Sequence, residues 1–209
     1  MQGKNANKTK ADRTRGRLLD VAAHLFREHG YSEVRLADIA KAARIQKGSL
    51  YYHFDSREEI VRHVLDAGVS RVLDAVRDRV AALPASATWR DRIVAGMEEH
   101  LRMALEQDDY TAANVRIHAH VPAAVRKRHA VLRRRYGAFW RTLLARAAEA
   151  GELRADLHPP IVRMFLLGSV TWSVEWFRPG PLSVDEVAHQ MTSILFDGIA
   201  AKPRARRRV

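Results

Sequence analysis

The sequence predicts an all-α protein, and three observations carry that prediction. Apolar residues return at helical spacing in nearly every segment. No alternating strand pattern of any length interrupts them. The apolar runs are closed by helix terminators: Gly30, Leu83-Pro84, Gly151 and Arg178-Pro179-Gly180-Pro181.

Residues 15–29 form an amphipathic helix on Leu18, Leu19, Ala22, Leu25 and Phe26, with Gly30 as its stop. Residues 31–35 are a connection with Val34 tucked in. Residues 38–53 then read as two short helices around a tight turn. Ile39, Ala40 and Ala43 give the first a small apolar face; Arg44, Ile45 and Gln46 break the pattern; residues 47–53 resume it. Leu50 and Phe54 point inward, which leaves Lys47, Ser49, Tyr52 and His53 outside. A helix-turn-helix needs this arrangement, because its second helix must be anchored by apolar side chains while exposed ones meet base edges and phosphates. On spacing alone, an ordinary helical hairpin fits as well and is the commoner outcome.

Ser56-Arg57-Glu58-Glu59 is a capping box that opens a long helix. Ile60, Val61, Val64, Leu65, Val69, Val72, Leu73, Val76 and Val80 keep its spacing as far as Leu83-Pro84. Its first turns touch the hairpin unit and its last lie in the body, so it serves both as a core helix and as a rigid element shared by two domains. Helices follow at residues 88–107, 110–120, 122–150, 159–177 and 184–200, the last opened by a second capping box at Ser183-Val184-Asp185-Glu186. The helix at 159–177 is apolar on more than one face, so it is buried on several sides.

With 209 residues, 47% of them hydrophobic, the chain can bury a sizeable core. No apolar run approaches the roughly 20 residues that span a bilayer, and the basic N-terminus has no signal-peptide core, so a cytoplasmic location is expected. The absence of cysteine excludes disulfides, thiolate metal sites and cysteine nucleophiles. The net charge of +12 sits mainly on two tails. Lys4, Lys8, Lys10, Arg13, Arg15 and Arg17 against Asp12 give the first 17 residues +5, and Lys202, Arg204, Arg206, Arg207 and Arg208 give the last nine another +5. Residues 1–10 are expected to be a disordered basic arm and 201–209 a basic tail, since neither holds the apolar residues to fold alone. The first abuts the hairpin and is placed on DNA phosphates or in a minor groove; for the second, DNA contact and a solubilising role stay equally open.

Around the hairpin the order of residues is specific. Ile39-Ala40, Ala42-Ala43, Ile45, the run from Lys47-Gly48-Ser49-Leu50 through Tyr51-Tyr52-His53-Phe54, and Ser56-Arg57-Glu58-Glu59-Ile60 resemble, without gaps, the N-terminal domain of TetR family regulators, as do Leu25-Phe26 and Gly30-Tyr31. Three positions depart from the family pattern. Arg44 replaces the usual turn glycine, Gln46 the serine that opens the recognition helix, and Arg35 the threonine or serine that caps the preceding helix. A left-handed backbone at Arg44 strains or reshapes the turn.

The resemblance implies an N-terminal three-helix DNA-binding domain with a helix-turn-helix at 11–56 and a C-terminal helical ligand-binding and dimerisation domain at 57–200. It implies DNA contacts at Arg35, Gln46, Lys47, Gly48, Ser49, Tyr51, Tyr52, His53 and Arg57. Lys47, Ser49 and Tyr52 are expected to read bases, and Tyr51, His53, Arg57 and the basic arm to hold phosphates. It also implies a double-stranded operator and a homodimer through the last two helices, whose recognition helices lie about 34 Å apart for a palindrome.

Residues 135–140, 151–154 and 168–181 resemble, more loosely, a TetR branch responsive to acyl-CoA thioesters from lipid or sterol breakdown. Expected lining residues for a hydrophobic or acyl-CoA effector are Met97, Leu101, Ile117, Phe139, Leu143, Phe165 and Trp172, with Arg116, His120, Arg163 and Trp176 as polar members. Each also fits as plain core. The arginine-rich helix at 126–135 suits a CoA phosphate, and equally a solvated face. Enzyme, metal and cofactor roles are not expected. The sequence has no glycine-rich phosphate loop, no HExxH and no GxSxG, and His118 and His120 point about 200° apart on a helix. The remaining rival is a helical scaffold whose basic tails bind nucleic acid nonspecifically.

Overall fold

A computed structural model describes residues 2–197, among which every regular element is helical. The order is α1 (Gln2–Glu33), α2 (Leu36–Ala42), α3 (Lys47–Tyr51), α4 (Arg57–Ala81), α5 (Trp89–Arg102), a π-helical turn (Met103–Gln107), α6 (Asp109–Ile117), α7 (Ala123–Glu149), α8 (Pro159–Trp176) and α9 (Val184–Asp197). The basic tail at 201–209 and the last residues of the expected final helix lie outside the described residues.

Three boundaries differ from expectation. The helix expected to start near residue 15 starts at Gln2, so residues 2–10, expected as a disordered arm, continue α1. Once the amphipathic segment is nucleated, each added residue gains one hydrogen bond at little further cost. Gly30, at φ 77° and ψ −174°, kinks α1 where the sequence placed its stop. The single helix expected over 88–107 is α-helical only to Arg102 and then widens into the π turn. The segment expected as helix to residue 120 is helical to Ile117.

The ends follow from capping. Thr88 and Asp91 form a reciprocal box at the start of α5, and Ser183 and Glu186 form another ahead of α9. The box expected at Ser56 is half made: Ser56 Oγ accepts from the Glu59 amide at 3.1 Å, while the Glu59 carboxylate takes the Asp55 amide at 2.8 Å. Gly151, at φ 71°, closes α7: its amide donates to the Ala148 carbonyl and the Glu152 amide to that of Ala147.

Two cores form. One gathers Leu18, Ala22 and Phe26 of α1, Ile39 of α2, Leu50 of α3 and Ile60 to Leu65 of α4, and is completed by Tyr110, Ala113 and Ile117 of α6. The other takes Val69 to Val80 of α4 with α5, α7, α8 and α9 around Trp140. Helix α4 therefore runs through both. It touches α6 backbone to backbone at Gly68, where a Cβ would lie 2.3 Å from the Tyr110 carbonyl oxygen. None of the helices among the described residues is long and apolar enough to cross a membrane.

Candidate DNA-reading surface and effector cavity

The hairpin is held from beneath by Ile39, Leu50 and Phe54, each at most 1% exposed. Its turn is built by Arg44, the only non-glycine residue with positive φ (54°) among those described. The Arg44 amide donates to Lys41 and the Ile45 amide to Ala40, both at 3.0 Å. This is the arrangement that Gly151 adopts after α7, made here with a side chain in the left-handed region. Arg35 heads α2 without a side-chain acceptor; instead the Asp38 carboxylate takes the Arg35 amide at 2.8 Å. Gln46 heads α3, also without a side-chain cap.

With the turn fixed, Arg35, Gln46, Lys47, Gly48, Ser49, Tyr51 and Tyr52 are all exposed. Tyr52 is 84% exposed, an unusual position for an aromatic side chain. His53 is half-buried and meets the Tyr52 ring edge-on. Arg57, expected on a phosphate, turns inward: its guanidinium donates to the Val34 and Tyr31 carbonyls and lies 4.0 Å over the Tyr31 ring. It clamps the α1–α2 connection to the start of α4.

A cavity of about 230 Å³ lies between α4, α5, α6, α7 and α8. One face of α6 forms much of its wall, since Thr111, Asn114, Val115 and His118 recur at helical spacing. Val69 and Val72 face it from α4, His100 from α5, Arg133 and Tyr136 from α7 and Thr171 from α8. Tyr136 Oη meets His100 Nδ1 at 2.7 Å. Burial lowers the His100 pKa to about 4, so the ring is neutral and accepts from the phenol. Burial, with Arg133, His129 and Arg126 nearby, likewise lowers His118 to about 4.

His118 and Arg133 also line an adjoining groove whose other walls include Arg126, Arg134, Arg141 and Arg163. Gly137 sits among these guanidinium groups, and a Cβ there would lie 3.4 Å from Arg163 Nη1. Arg163 Nε is buried and has no hydrogen-bond partner among the described residues. An orphaned buried donor in a cationic groove suits an anion.

The expected effector residues are scattered by comparison. Met97, Leu101 and Leu143 are buried in the second core, and Phe139 is half-buried against it. Ile117 packs under α1 in the first core. Arg116 donates to the Arg27 carbonyl, and His120 folds back on the Arg116 carbonyl. Phe165, Trp172 and Trp176 are 57%, 67% and 49% exposed, because α8 turns Leu166, Val170 and Ser173 inward instead. With Ile161 and Met164 they make an apolar outer face. Only Arg163 reaches the groove. Sequence reasoning missed His100, Thr111, Asn114 and His118 as lining residues, whereas Arg133 falls in the arginine-rich segment 126–135 offered for a CoA phosphate and Tyr136 in the segment 135–140 that carried the looser resemblance. The polar spacing on α6 was the available signal.

Polar contacts join the cavity to the hairpin. The Arg133 guanidinium lies against the His118 ring, whose centre is 5.7 Å from that of His129. His129 Nδ1 meets Asp66 Oδ1 at 2.8 Å, and Arg62 donates to Asp66 at 3.4 Å. Arg62 and Arg15 both approach His63 Nε2, at 3.2 and 2.7 Å. Burial, then Arg15 and Arg62, hold the His63 pKa low, which keeps its ring an acceptor. Arg15 also donates to Glu59 and lies 4.5 Å over Phe54, directly behind α3.

Residues 18–64 match the family model for bacterial regulatory proteins, tetR family, and residues 86–199 that of the tetracyclin repressor-like C-terminal domain. The HTH-type transcriptional repressor KstR2 of Rhodococcus jostii (strain RHA1) is 33% identical over 194 residues, 90% of this chain and 91% of that protein. KstR2 of Mycobacterium tuberculosis (strain ATCC 25618 / H37Rv) is 31% identical over 196 residues, 88% and 92% of the two chains. Among solved structures, the ketosteroid transcriptional regulator KstR2 of Mycobacterium tuberculosis superposes with a TM-score of 0.74 at 28% identity, covering 90% of this chain and 95% of that one. AibR in complex with isovaleryl coenzyme A and operator DNA reaches 0.78 over 88% and 98%, its 24% identity showing the fold alone. A scaffold with adventitious basic tails does not account for matches through both halves of the chain, nor does an enzyme. The chain belongs to the TetR family of DNA-binding transcriptional regulators.

Proposed function

We propose that the protein is a cytoplasmic, homodimeric repressor that leaves a palindromic operator when a CoA thioester occupies the cavity and its arginine groove, and that it controls genes of lipid or sterol breakdown. The observation that carries this is the continuity of the two spaces through His118 and Arg133. A compact acyl group fits the small cavity, whose inner wall is uncharged, while the CoA phosphates meet guanidinium groups that offer charge-assisted hydrogen bonds. The names of the KstR2 relatives and the isovaleryl coenzyme A bound to AibR support the same class of effector and genes.

In this reading residues 11–56 read DNA, and 57–200 bind the effector and pair through the outer faces of α8 and α9. Lys47, Ser49 and Tyr52 read bases; Tyr51, His53 and the basic arm hold phosphates; Arg35, Gln46 and Gly48 border them; Arg57 fixes the hairpin's orientation. The effector favours a state whose recognition helices are misplaced, and the shift is limited by its differential affinity for the two states.

Fluorescence anisotropy with the palindrome upstream of the gene tests this at physiological salt. The operator is expected to bind well above random duplex, and a short-chain acyl-CoA to release it where the matching free acid does not. Equal affinity for random duplex overturns the regulator's operator specificity; release by the free acid, or by neither compound, overturns the thioester.

A further inference from the structure

Asn114 is 92% buried on the cavity side of α6 (8% exposed), and its side-chain amide has no hydrogen-bond partner among the described residues. The amide is not fully enclosed, so it keeps an open side toward the cavity, and its neighbours are already committed. Thr111 Oγ1 is bonded to Asp108 and Gly68, and the Tyr136 hydroxyl to His100. Asn114 thus presents both a donor and an acceptor to whatever fills the cavity.

Its place along α6 fixes how deep that encounter occurs. His118 marks the mouth shared with the arginine groove. Asn114 lies one turn further in, about 6 Å along the helix at 1.5 Å per residue. A thioester carbonyl seated about half a turn inside the mouth would bring the β-carbon of its acyl chain, about 2.5 Å further on, level with the amide. The inner wall there is neutral: Val69, Val72 and Thr111 carry no charge, and His100 is held uncharged by burial. A carboxylate placed there would be buried without a cation, whereas a hydroxyl or keto oxygen would be satisfied.

We infer that Asn114 is the specificity-determining residue of this effector site and selects acyl-CoA thioesters bearing a β-hydroxyl or β-keto oxygen over saturated chains of equal length. The inference rests on the thioester reading above.

The test compares butyryl-CoA, 3-hydroxybutyryl-CoA and 3-oxobutyryl-CoA by calorimetry on the full chain. The oxygenated pair is expected to bind about tenfold tighter than butyryl-CoA. Asn114→Leu should abolish that preference, bringing the three compounds to within about twofold of one another. Asn114→Asp, which loses the amide donor, should weaken the 3-oxo compound more than the 3-hydroxy one, and thermal unfolding of both variants separates a lost preference from a folding defect. Equal binding of all three by the unaltered protein, or a preference that survives both substitutions, overturns the inference alone. Binding of none overturns the thioester reading and the inference with it.

Discussion

His129 of α7 and Asp66 of α4 meet at 2.8 Å, and the His129 side chain is fully buried while Asp66 reaches the surface. One side of this pair faces His118 at the cavity and the other faces Arg62, His63 and Arg15 behind the hairpin. Contiguity alone carries no coupling, so the pair must be tested by its effect on a two-state equilibrium. His129→Phe keeps a ring in the core and removes the bond. Operator affinity without effector should stay within about twofold, while the effector-induced loss of affinity should shrink by about fivefold or more, within the usual range of coupling energies. Operator titrations with and without saturating effector measure both; an unchanged ratio excludes this route.

Arg44 should respond to glycine. A left-handed non-glycine residue costs about 1–2 kcal/mol, and glycine gives back about 0.4–1 kcal/mol through the unfolded chain's greater freedom. Arg44→Gly is therefore expected to stabilise the protein by about 0.5–1 kcal/mol, read from urea denaturation midpoints. Destabilisation would mean that the exposed Arg44 side chain makes contacts worth more than the strain.

Acid should weaken the fold through His100. Burial lowers its pKa from 6.5 to about 4. Above 6.5 neither state holds the proton; between 6.5 and about 4 the unfolded chain takes it up and the folded chain does not. The stabilisation is thus complete above 6.5 and is lost as pH falls, at up to about 1.4 kcal/mol per pH unit. His100→Gln should flatten this part of the slope between pH 7 and 5, leaving the parallel contribution of His118 in place. Equal slopes in variant and parent would refute it.

The exposed positions of the hairpin were largely readable, since Lys47, Ser49 and Tyr52 stay outside where Leu50 and Phe54 are buried, while Arg57 and His53 were placed outside and are drawn inward by the packing. Even the odd turn at Arg44 was visible as a departure. The cavity was not, because its position depends on which side of α6 is claimed by α1. Ile117 carries the apolar character of a pocket residue yet fills the first core, and Asn114, three residues earlier, faces the opening. The exposed aromatics of α8 misled for the same reason, since an apolar side chain does not say whether its own chain or a second copy covers it. The π turn left no trace either, as Met103 to Gln107 are all residues that an α-helix accepts.

Gly68 gives the two halves of the molecule a common fulcrum. With no side chain between α4 and α6, and Thr111 Oγ1 directed at the Gly68 carbonyl, the helix that walls the cavity rests on the helix that ends at the hairpin. A load applied to α6 has no soft layer in which to dissipate. A displacement of α6 at that point meets the α4 backbone directly, and the start of α4 at the hairpin lies about 16 Å along the same helix.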